Sequence, residues 1–592
     1  MLASVVTNKT AIKTNLKRSV NQCLGNIAHT IAEPKQNQVP LLLLSFLLLL
    51  CVPLFLYTFR TFDNNRLVSW YWGFSQEQLF AMLALLSVLL ALFLIAAKLQ
   101  WRVPVNIVFL SIVAFFLTIP FWQTPEVIID NARYFTQAKY LELYGAGYFF
   151  REWGGTIFAW TDLPLIPFIY GVMFNAFGEY REVIQVLGSL FFVGTMALTY
   201  ALGKILWSHH HGMVAATLLL GIPYLYTQIP LMMVDIPAMF FLTLAVLTAV
   251  LAIKEGGYGH VFIAAIAIVL ALFTKYSVWI FLSVVPLVVF AQPQHLWRQS
   301  VIRLSKIIFF ATVLWCLVLS WYYPALFEQI TILLDYQWRA LDGWQESYVS
   351  TFMFHIHPLI SMAAIIALFI AIKRGDRKFL IVSWMLMLVV LMDIQRIRYL
   401  LVVFPMLALM AGYALVQIPN TQLKNYIVSG VVLTSYIIAL SLSAGFLQSN
   451  SANNLKSAGT YLNTLDVNPV EVMVLPQQRS VVNPQVALAT LDYHTEKTLV
   501  YTGNHVVNTN LGFDISQSPV RFTWEYSVPA YYHSSHQLDQ TLKALAVIYS
   551  DKEQLVTDDL QSRLEGYQLL KQYQSVTGVF KYKTLVNLYV SN

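Results

Sequence analysis

Apolar runs long enough to cross a lipid bilayer recur along this chain of 592 residues. About 20 apolar residues suffice to span the hydrocarbon core as a helix. Within the lipid such a run forms a helix, because its backbone groups must hydrogen-bond inside the segment. We identify thirteen runs, at 40–57, 78–97, 104–122, 184–206, 212–229, 236–253, 259–274, 277–291, 307–323, 357–372, 379–393, 399–417 and 426–446. The short pair 259–274 and 277–291 is also compatible with one kinked helix. Charged residues form 11% of the chain, against about 25% in soluble domains, so the sequence predicts a mainly α, polytopic membrane protein.

The distribution of Lys and Arg predicts the orientation of these spans. With a cytoplasmic N-terminus, the inner segments hold 17 Lys and Arg, whereas the longer outer segments up to residue 425 hold ten. Positive residues favour the cytoplasmic side, and an odd number of spans then places the C-terminus outside. We expect a multi-pass protein of the plasma (inner) membrane. The net charge of +7 largely reflects this bias, so no nucleic-acid partner is predicted.

The spans divide the chain into five regions. These are a basic cytoplasmic tail at 1–39, three spans at 40–122, an outer loop with amphipathic segments at 123–183, ten spans at 184–446 and a polar C-terminal region at 447–592. In the last region, strand patterns at 470–475, 498–501, 545–549 and on both sides of 576–579 alternate with helical patterns at 458–465 and 553–565. This alternation predicts a small extracytoplasmic α/β domain.

The outer loop contains the first candidate site. Asp130 begins a helical pattern shortly after the third span, and Arg133 lies three residues on, which places both on one helix face. A surface ion pair worth a few tenths of a kcal/mol is one interpretation. The alternative is a carboxylate that orients or deprotonates an acceptor hydroxyl while Arg133, with the adjacent Tyr134, holds an anion.

Two further acids lie at predicted helix starts. Asp162 precedes Pro164 and an apolar segment, so we expect it to be a helix N-cap rather than a direct member of the site. Asp235 is the charge in a very short outer loop between two long apolar runs. Capping and catalysis both remain open for Asp235, and we include it among the catalytic candidates.

Three cations lie at outer helix ends, where the positive-inside bias disfavours them: Lys275, Arg396 and Arg398. A cation at bilayer depth is costly, and snorkelling of its side chain to the interface is the structural alternative to a functional role. Their grouping on one side predicts a bound anion, of which a lipid phosphate is the obvious example.

The histidines give weaker signals. His355 and His357 lie at an outer helix end, where they could join the site or ligate a metal, whereas His209 to His211 fall in an inner loop away from it. The sequence has no Gly-rich phosphate loop and no Cys-Xaa-Xaa-Cys motif. We therefore predict no cofactor, while a divalent metal ion is left open.

The order of these motifs resembles that of a known superfamily. Asp130-Asn131-Ala132-Arg133-Tyr134 is followed by VDIP at 234–237, LFTKY at 272–276 and RIRYLLVVFPMLALMAGYAL at 396–415. Over residues 104–446 this series is similar to the GT-C membrane glycosyltransferases, in the branch of protein O-mannosyltransferases and lipid A aminoarabinose transferases.

The resemblance implies transfer of a sugar from a polyprenyl-phosphate donor to a lipid, glycan or protein acceptor on the outer face of the membrane. It implies that Asp130 is the catalytic carboxylate, that Arg133 and Lys275 neutralise the lipid phosphate, and that Asp235 lines the site. Relatives usually have Lys-Pro-Pro-Leu where this chain has Asp162-Leu163-Pro164-Leu165. Candidates to supply the missing cation are Arg151, Arg396 and Arg398.

Two other classes of function compete with this interpretation. A transporter or lipid flippase would place ionisable residues near span centres and would show matched halves, whereas here the charges gather at outer ends. A non-catalytic scaffold would leave the outer cations unexplained. We therefore expect a membrane glycosyltransferase.

Overall fold

The computed structural model describes residues 38–74, 79–98, 106–337, 346–477, 482–502, 521–533, 543–556, 558–576 and 582–591. The basic tail predicted at 1–39 lies almost wholly outside these residues, as does most of the turn predicted around 576–579.

Helices dominate the chain up to residue 462. In order they are α1 (Gln38–Thr58), α2 (Trp70–Gly73), α3 (Leu79–Lys98), α4 (Ile107–Thr118), α5 (Asn131–Glu152), α6 (Leu165–Phe177), α7 (Arg181–Leu206), α8 (His209–Leu219), α9 (Pro223–Gln228), α10 (Asp235–Glu255), α11 (Tyr258–Leu272), α12 (Ser277–Phe281), α13 (Val284–Phe290), α14 (Trp297–Ile332), α15 (Pro358–Arg374), α16 (Phe379–Leu391), α17 (Ile397–Leu400), α18 (Phe404–Leu415), α19 (Thr421–Ile438), α20 (Gly445–Gln448) and α21 (Ala452–Leu462).

Within the described part of the chain, seven helical stretches are long and apolar enough to cross a membrane. They are Val39–Thr58, Leu79–Ala97, Arg181–Leu206, Asp235–Glu255, Gln294–Asp335, Ile397–Leu415 and Thr421–Gln448. Five shorter apolar helices accompany them, at Ile107–Gln123, Leu165–Phe177, Tyr258–Leu272, Ser277–Phe290 and Phe379–Leu391. The prediction of a polytopic helical membrane protein is confirmed.

One predicted span is interrupted, and one predicted pair of short spans stays separate. The run at 212–229 forms α8 and α9, because Pro223 suits the first position of a new helix and cannot continue the preceding one. The pair at 259–274 and 277–291 is not one kinked helix, since residues 273–276 leave the helical path between α11 and α12. This break matters because Lys275 lies in it.

The predicted inner loops contact each other. Trp207 Nε1 donates to Asp376 Oδ2 at 2.8 Å, and Lys378 Nζ donates to the carbonyl of Leu206 at 2.8 Å. These contacts join the end of α7 to the start of α16. The helices therefore bring loops of the same predicted side together.

The C-terminal region folds around a five-stranded mixed sheet. Its strands are β1 (Val470–Val474), β2 (Leu499–Tyr501), β3 (Ala544–Tyr549), β4 (Tyr567–Tyr573) and β5 (Leu585–Ser591), in the spatial order β2-β1-β3-β5-β4. Strand β1 runs parallel to β2 and β3, and β5 runs antiparallel to β3 and β4. The short helices α22 (Val486–Asp492), α23 (Arg521–Trp524) and α24 (Asp558–Arg563) complete it. The predicted α/β character is confirmed.

The C-terminal domain packs directly on α5. Lys139 of α5 lies 2.8 Å from Glu179 Oε2 and 2.7 Å from Asp492 Oδ2, so one partly buried cation pairs with two carboxylates. Beside it, the ring of Tyr493 packs against Phe135 with centroids 5.3 Å apart. The domain is therefore held against the helix that begins at Asp130.

This contact has a pH-dependent component. Burial raises the pKa of Glu179 from 4.5 to about 7, and Asp492 adds to the rise while Lys139 opposes it. Between these values the folded protein binds more protons than the unfolded chain, so stability falls as the pH rises.

We expect Glu179→Gln to reduce the loss of thermal stability between about pH 5 and pH 8, because glutamine cannot ionise. Melting temperatures of the purified protein in detergent at both pH values measure this. Gln in place of the exposed Glu496 serves as the control and should leave the wild-type slope. An unchanged slope in the Glu179 variant would contradict the assignment.

Candidate active site

The segment between α4 and α5 is anchored by a buried ion pair. Arg181 Nη2 lies 3.0 Å from Glu126 Oε1, and Glu126 Oε2 accepts a hydrogen bond from the backbone N–H of Met232 at 3.2 Å. Arg181 also donates to the carbonyl of Thr124 at 2.7 Å. These bonds hold the chain just before Asp130. No local pattern predicts this role for Glu126 or Arg181, since the two residues are 55 positions apart in the chain.

Six charged side chains follow one another with alternating sign, and we call this group the ionic ladder: Lys275, Asp235, Arg398, Asp130, Arg133 and Asp162. At one end, Lys275 Nζ lies 2.5 Å from Asp235 Oδ1. Arg398 connects two carboxylates, with Nε 3.0 Å from Asp235 Oδ2 and Nη1 2.6 Å from Asp130 Oδ2.

The other end of the ladder is built by Arg133. Its Nη1 lies 3.6 Å from Asp130 Oδ1, and its Nη2 donates to Asp162 Oδ1 at 3.0 Å. Gln137 Nε2, one turn further along α5, donates to Asp162 Oδ2 at 3.2 Å. The contact between Asp130 and Arg133 is the one that helical spacing predicts.

The members of the ladder come from helix ends. Asp235 is the first residue of α10, Arg398 is the second residue of α17, and Lys275 lies in the break between α11 and α12. Asp130 directly precedes α5. Helices that cross a bilayer end at a common level, so charges at their ends can meet without entering the hydrocarbon core.

Charge compensation stabilises this arrangement. Three carboxylates face three cations, and the side chain of Asp235 is 0% exposed between Lys275 and Arg398. Leaving one buried charge without its partner typically costs about 3–5 kcal/mol. Each charged group of the ladder therefore stabilises its neighbours in the buried site.

The ladder forms part of the wall of a cavity of about 1440 Å³. Those predicted site residues that line it are Asp130, Arg133, Tyr134, Asp162, Lys275, Arg396 and Arg398. Asp130 is the most accessible of the three ladder carboxylates, with 21% of its side chain exposed. Asp235 lies behind Lys275 and Arg398, which places it as a support for these cations.

Two neighbouring carboxyls have opposite pKa shifts. Burial alone would raise the pKa of Asp130, but Arg133 and Arg398 outweigh it and hold that pKa well below its usual range. Burial raises the pKa of Asp162 above its ordinary value although Arg133 opposes this, and the charge of Asp130 adds to the rise. The two cations therefore hold the Asp130 carboxyl in its ionised form beside the cavity.

The structure corrects the predicted role of Asp162. Helix α6 has Pro164 at its N-cap position and no side-chain capping bond, while the Asp162 carboxylate bonds to Arg133 and Gln137 instead. The N-cap prediction was wrong because a charged partner on α5 competes for the same oxygens. The surface interpretation of the Asp130 and Arg133 pair was also wrong, since Arg133 is buried.

Three of the less certain candidates lie away from the ladder. Arg151 is exposed at the end of α5 and pairs with Glu152 at 3.0 Å. His355 Nε2 lies 3.0 Å from Asp63 Oδ1, and His357 Nδ1 caps α15 by accepting from the backbone of Leu359. Of the cations considered to replace the missing lysine, Arg398 and Arg396 line the cavity and Arg151 does not.

The described residues contain no cluster of three or more His, Cys, Asp or Glu side chains arranged to hold a metal ion. The positive charge in this part of the site is supplied by Arg and Lys. The ring of Tyr399 makes cation–π contacts with two of these cations. Its centroid lies 4.9 Å from Lys275 Nζ and 5.4 Å from the guanidinium carbon of Arg396.

Part of the sequence and the overall fold match known proteins. Residues 162–323 match the family of dolichyl-phosphate-mannose-protein mannosyltransferases. ArnT from Cupriavidus metallidurans, in a structure bound to undecaprenyl phosphate, is 13% identical with a TM-score of 0.52, covering 81% of this chain and 97% of ArnT. The protein has a GT-C fold.

The apo structure of the same ArnT gives a TM-score of 0.51 at 13% identity, with the same coverage of 81% and 97%. The archaeal oligosaccharyltransferase AglB from Archaeoglobus fulgidus, in complex with an inhibitory peptide and a dolichol-phosphate, is 11% identical with a TM-score of 0.43, covering 75% of this chain and 69% of AglB. A search of curated protein sequences gives no match. The resemblance to the GT-C glycosyltransferases drawn from sequence motifs is confirmed.

We expect Asp235→Ala to lower the free energy of unfolding by about 3–5 kcal/mol, because it leaves Lys275 and Arg398 without a shared buried carboxylate. Thermal unfolding in detergent measures the change. Glu255→Ala, which removes an exposed carboxylate at the other end of α10, should stay within about 0.5 kcal/mol of the wild type. Equal stability of the two variants would show that the ladder contributes little.

Proposed function

We propose that this protein transfers a sugar from a polyprenyl-phosphate-linked donor to an acceptor on the outer face of the plasma (inner) membrane. The observation that carries the proposal is that Arg133, Lys275 and Arg398 lie along the same cavity wall as the Asp130 carboxylate, which Arg133 and Arg398 contact directly. The matched family and the ArnT fold support it.

The donor phosphate is assigned to the part of the cavity near Lys275. Here Lys275 and Arg396 flank Tyr399, and the apolar side chains of Ile280 and Phe281 line the cavity nearby. Cations suit the phosphate, and an apolar wall suits the attached polyprenyl chain. Fixed cations also stabilise the charge that develops on the phosphate as it leaves.

Asp130 is assigned to the acceptor. The acceptor oxygen attacks the anomeric carbon, its proton passes to the Asp130 carboxylate, and the bond from that carbon to the phosphate oxygen breaks to release polyprenyl phosphate. Along the ladder, Asp235 and Arg398 separate Asp130 from Lys275. Base and phosphate thus occupy different positions along the wall, as an inverting displacement requires.

The ladder also explains how a weakly basic carboxylate could act as the base. The negative charge of a phosphate bound to Arg398 and Lys275 would offset part of the positive charge that these cations present to the carboxylates. The pKa of Asp130, now held low by Arg133 and Arg398, would then rise toward the range useful for accepting a proton. Donor binding would in this way activate the base.

The proposed function also implies a membrane orientation and a source of charge stabilisation. The Lys and Arg distribution supports a cytoplasmic N-terminus and an extracytoplasmic C-terminal domain. The chain's own cations stabilise the charge of the leaving phosphate in the proposed reaction, which uses no nucleotide.

A transporter or flippase is less consistent with the site. Asp235 and Arg398 lie at the first and second positions of their helices, not near the centres of spans. A substrate pathway through the membrane would be expected to place ionisable groups deeper.

Asp130→Asn should lower sugar transfer by about 10²–10⁴-fold, because asparagine cannot accept the hydroxyl proton. Purified protein with a labelled polyprenyl-phosphate sugar, assayed for release of polyprenyl phosphate, measures the loss. Glu152→Gln at the opposite end of α5 is the control and should retain activity. Full activity of the folded Asp130 variant would contradict the catalytic assignment.

Lys275→Ala should weaken binding of undecaprenyl phosphate roughly tenfold or more, since a charge-assisted contact is worth about 1.5–3 kcal/mol. Acceptor binding should change less. Titration of the protein in nanodiscs measures lipid binding. Lys306→Ala, which removes an exposed lysine of α14, should bind like the wild type, and an unchanged affinity in the Lys275 variant would count against a phosphate site there.

A further inference from the structure

The cavity has two walls of different charge. The membrane-domain wall is charged and includes Arg396 and every member of the ionic ladder except Asp235. The other wall belongs to the C-terminal domain, and none of its ten described lining residues carries a formal charge. Its polar members offer hydroxyl and amide groups: Asn450, Ser451, Thr490, Thr523, Tyr582 and Thr584.

Neutral donors and acceptors of this kind suit a ligand that is itself neutral and rich in hydroxyls. A charged group pressed against them would lose its hydration without gaining a countercharge, which is costly. The ladder cations are paired with three carboxylates and, in the proposed reaction, also serve the donor phosphate. The neutral wall of the C-terminal domain therefore disfavours the binding of a charged acceptor.

One polar side chain on the membrane side points to the same ligand chemistry. Asn131 follows Asp130, is 0% exposed and lines the cavity. Its Nδ2 has no hydrogen-bond partner among the residues that the structure describes. A buried donor without a partner typically costs about 1–3 kcal/mol, so an oxygen of a bound ligand would stabilise it.

Asn131 is also the point where the two walls meet. Its Oδ1 lies 3.5 Å from Thr490 Oγ1 on α22 of the C-terminal domain. The same helix ends at Asp492, which is held by Lys139 of α5 at 2.7 Å. The position of the neutral wall is thereby coupled to the helix that begins beside Asp130.

We propose that the acceptor is a neutral saccharide bound between the C-terminal domain and α5, with Asn131 and Thr490 positioning the attacking hydroxyl toward Asp130. This inference rests on the proposed function and adds the acceptor class to it. Asn131 Nδ2 donates to a hydroxyl oxygen of the acceptor. The transferred proton still passes to Asp130, so Asn131 is a positioning residue.

The test uses the full-length protein in nanodiscs on an array of neutral oligosaccharides, phosphorylated and uronic-acid-containing oligosaccharides, and serine- and threonine-containing peptides. Two variants probe the site. Asn131→Leu removes the amide donor at similar volume, and Thr490→Val removes the hydroxyl. Thr460→Val is matched to the second variant, because both hydroxyls bond the carbonyl four residues earlier but only Thr490 lines the cavity.

We expect the wild type to bind neutral oligosaccharides in preference to the charged ones and the peptides. Asn131→Leu and Thr490→Val should each weaken that binding by about tenfold, with Thr460→Val unchanged. In the same preparations, undecaprenyl phosphate affinity should differ less than about twofold, which separates acceptor positioning from general misfolding.

Preference for charged glycans or peptides, absence of any glycan binding, or equal binding by the wild type and both site variants would each overturn the inference. An error in the proposed function itself would give a different result. In that case the wild type would neither bind undecaprenyl phosphate nor cleave a polyprenyl-phosphate sugar, whatever the array shows.

Discussion

Charge compensation within the ionic ladder is the constraint on which the rest of the structure depends. Its six charged groups are largely removed from water, so each is tolerable only next to a partner of opposite sign. The partners come from the start of α5, the segment before α6, the start of α10, the break after α11 and the start of α17. Every one of these elements must reach the same level for the ladder to close.

Helix α5 connects the ladder to the C-terminal domain. Asp130 and Arg133 lie at its beginning, Asn131 faces the cavity, and Lys139 holds the domain two turns further on. Helix α5 therefore begins directly after Asp130 and carries both Arg133 of the ladder and the docking contact of the C-terminal domain. Movement of the domain relative to the membrane helices would be transmitted to the position of the carboxylate.

Local patterns predicted much of this organisation. Hydrophobic runs located the helices, alternation located strands β1 to β3, and helical spacing paired Asp130 with Arg133. The same reasoning misassigned Asp162, since a Pro two residues later is a strong local sign of a helix start. Its actual partner, Arg133, is 29 residues earlier in the chain. Glu126 and Arg181, 55 residues apart, gave no local signal of their pairing either.

By itself, the sequence determined a polytopic helical protein with a polar loop after its third apolar run, an α/β C-terminal domain and cations at helix ends, because these properties follow from composition and short-range periodicity. Only the tertiary structure decided that Arg398 joins Asp130 to Asp235, that Asp235 supports cations from behind the cavity wall, and that Asn131 meets Thr490. Arg398 and Asp130 are 268 residues apart. Contacts over such separations depend on how helices pack side by side, which periodicity along a single chain does not encode.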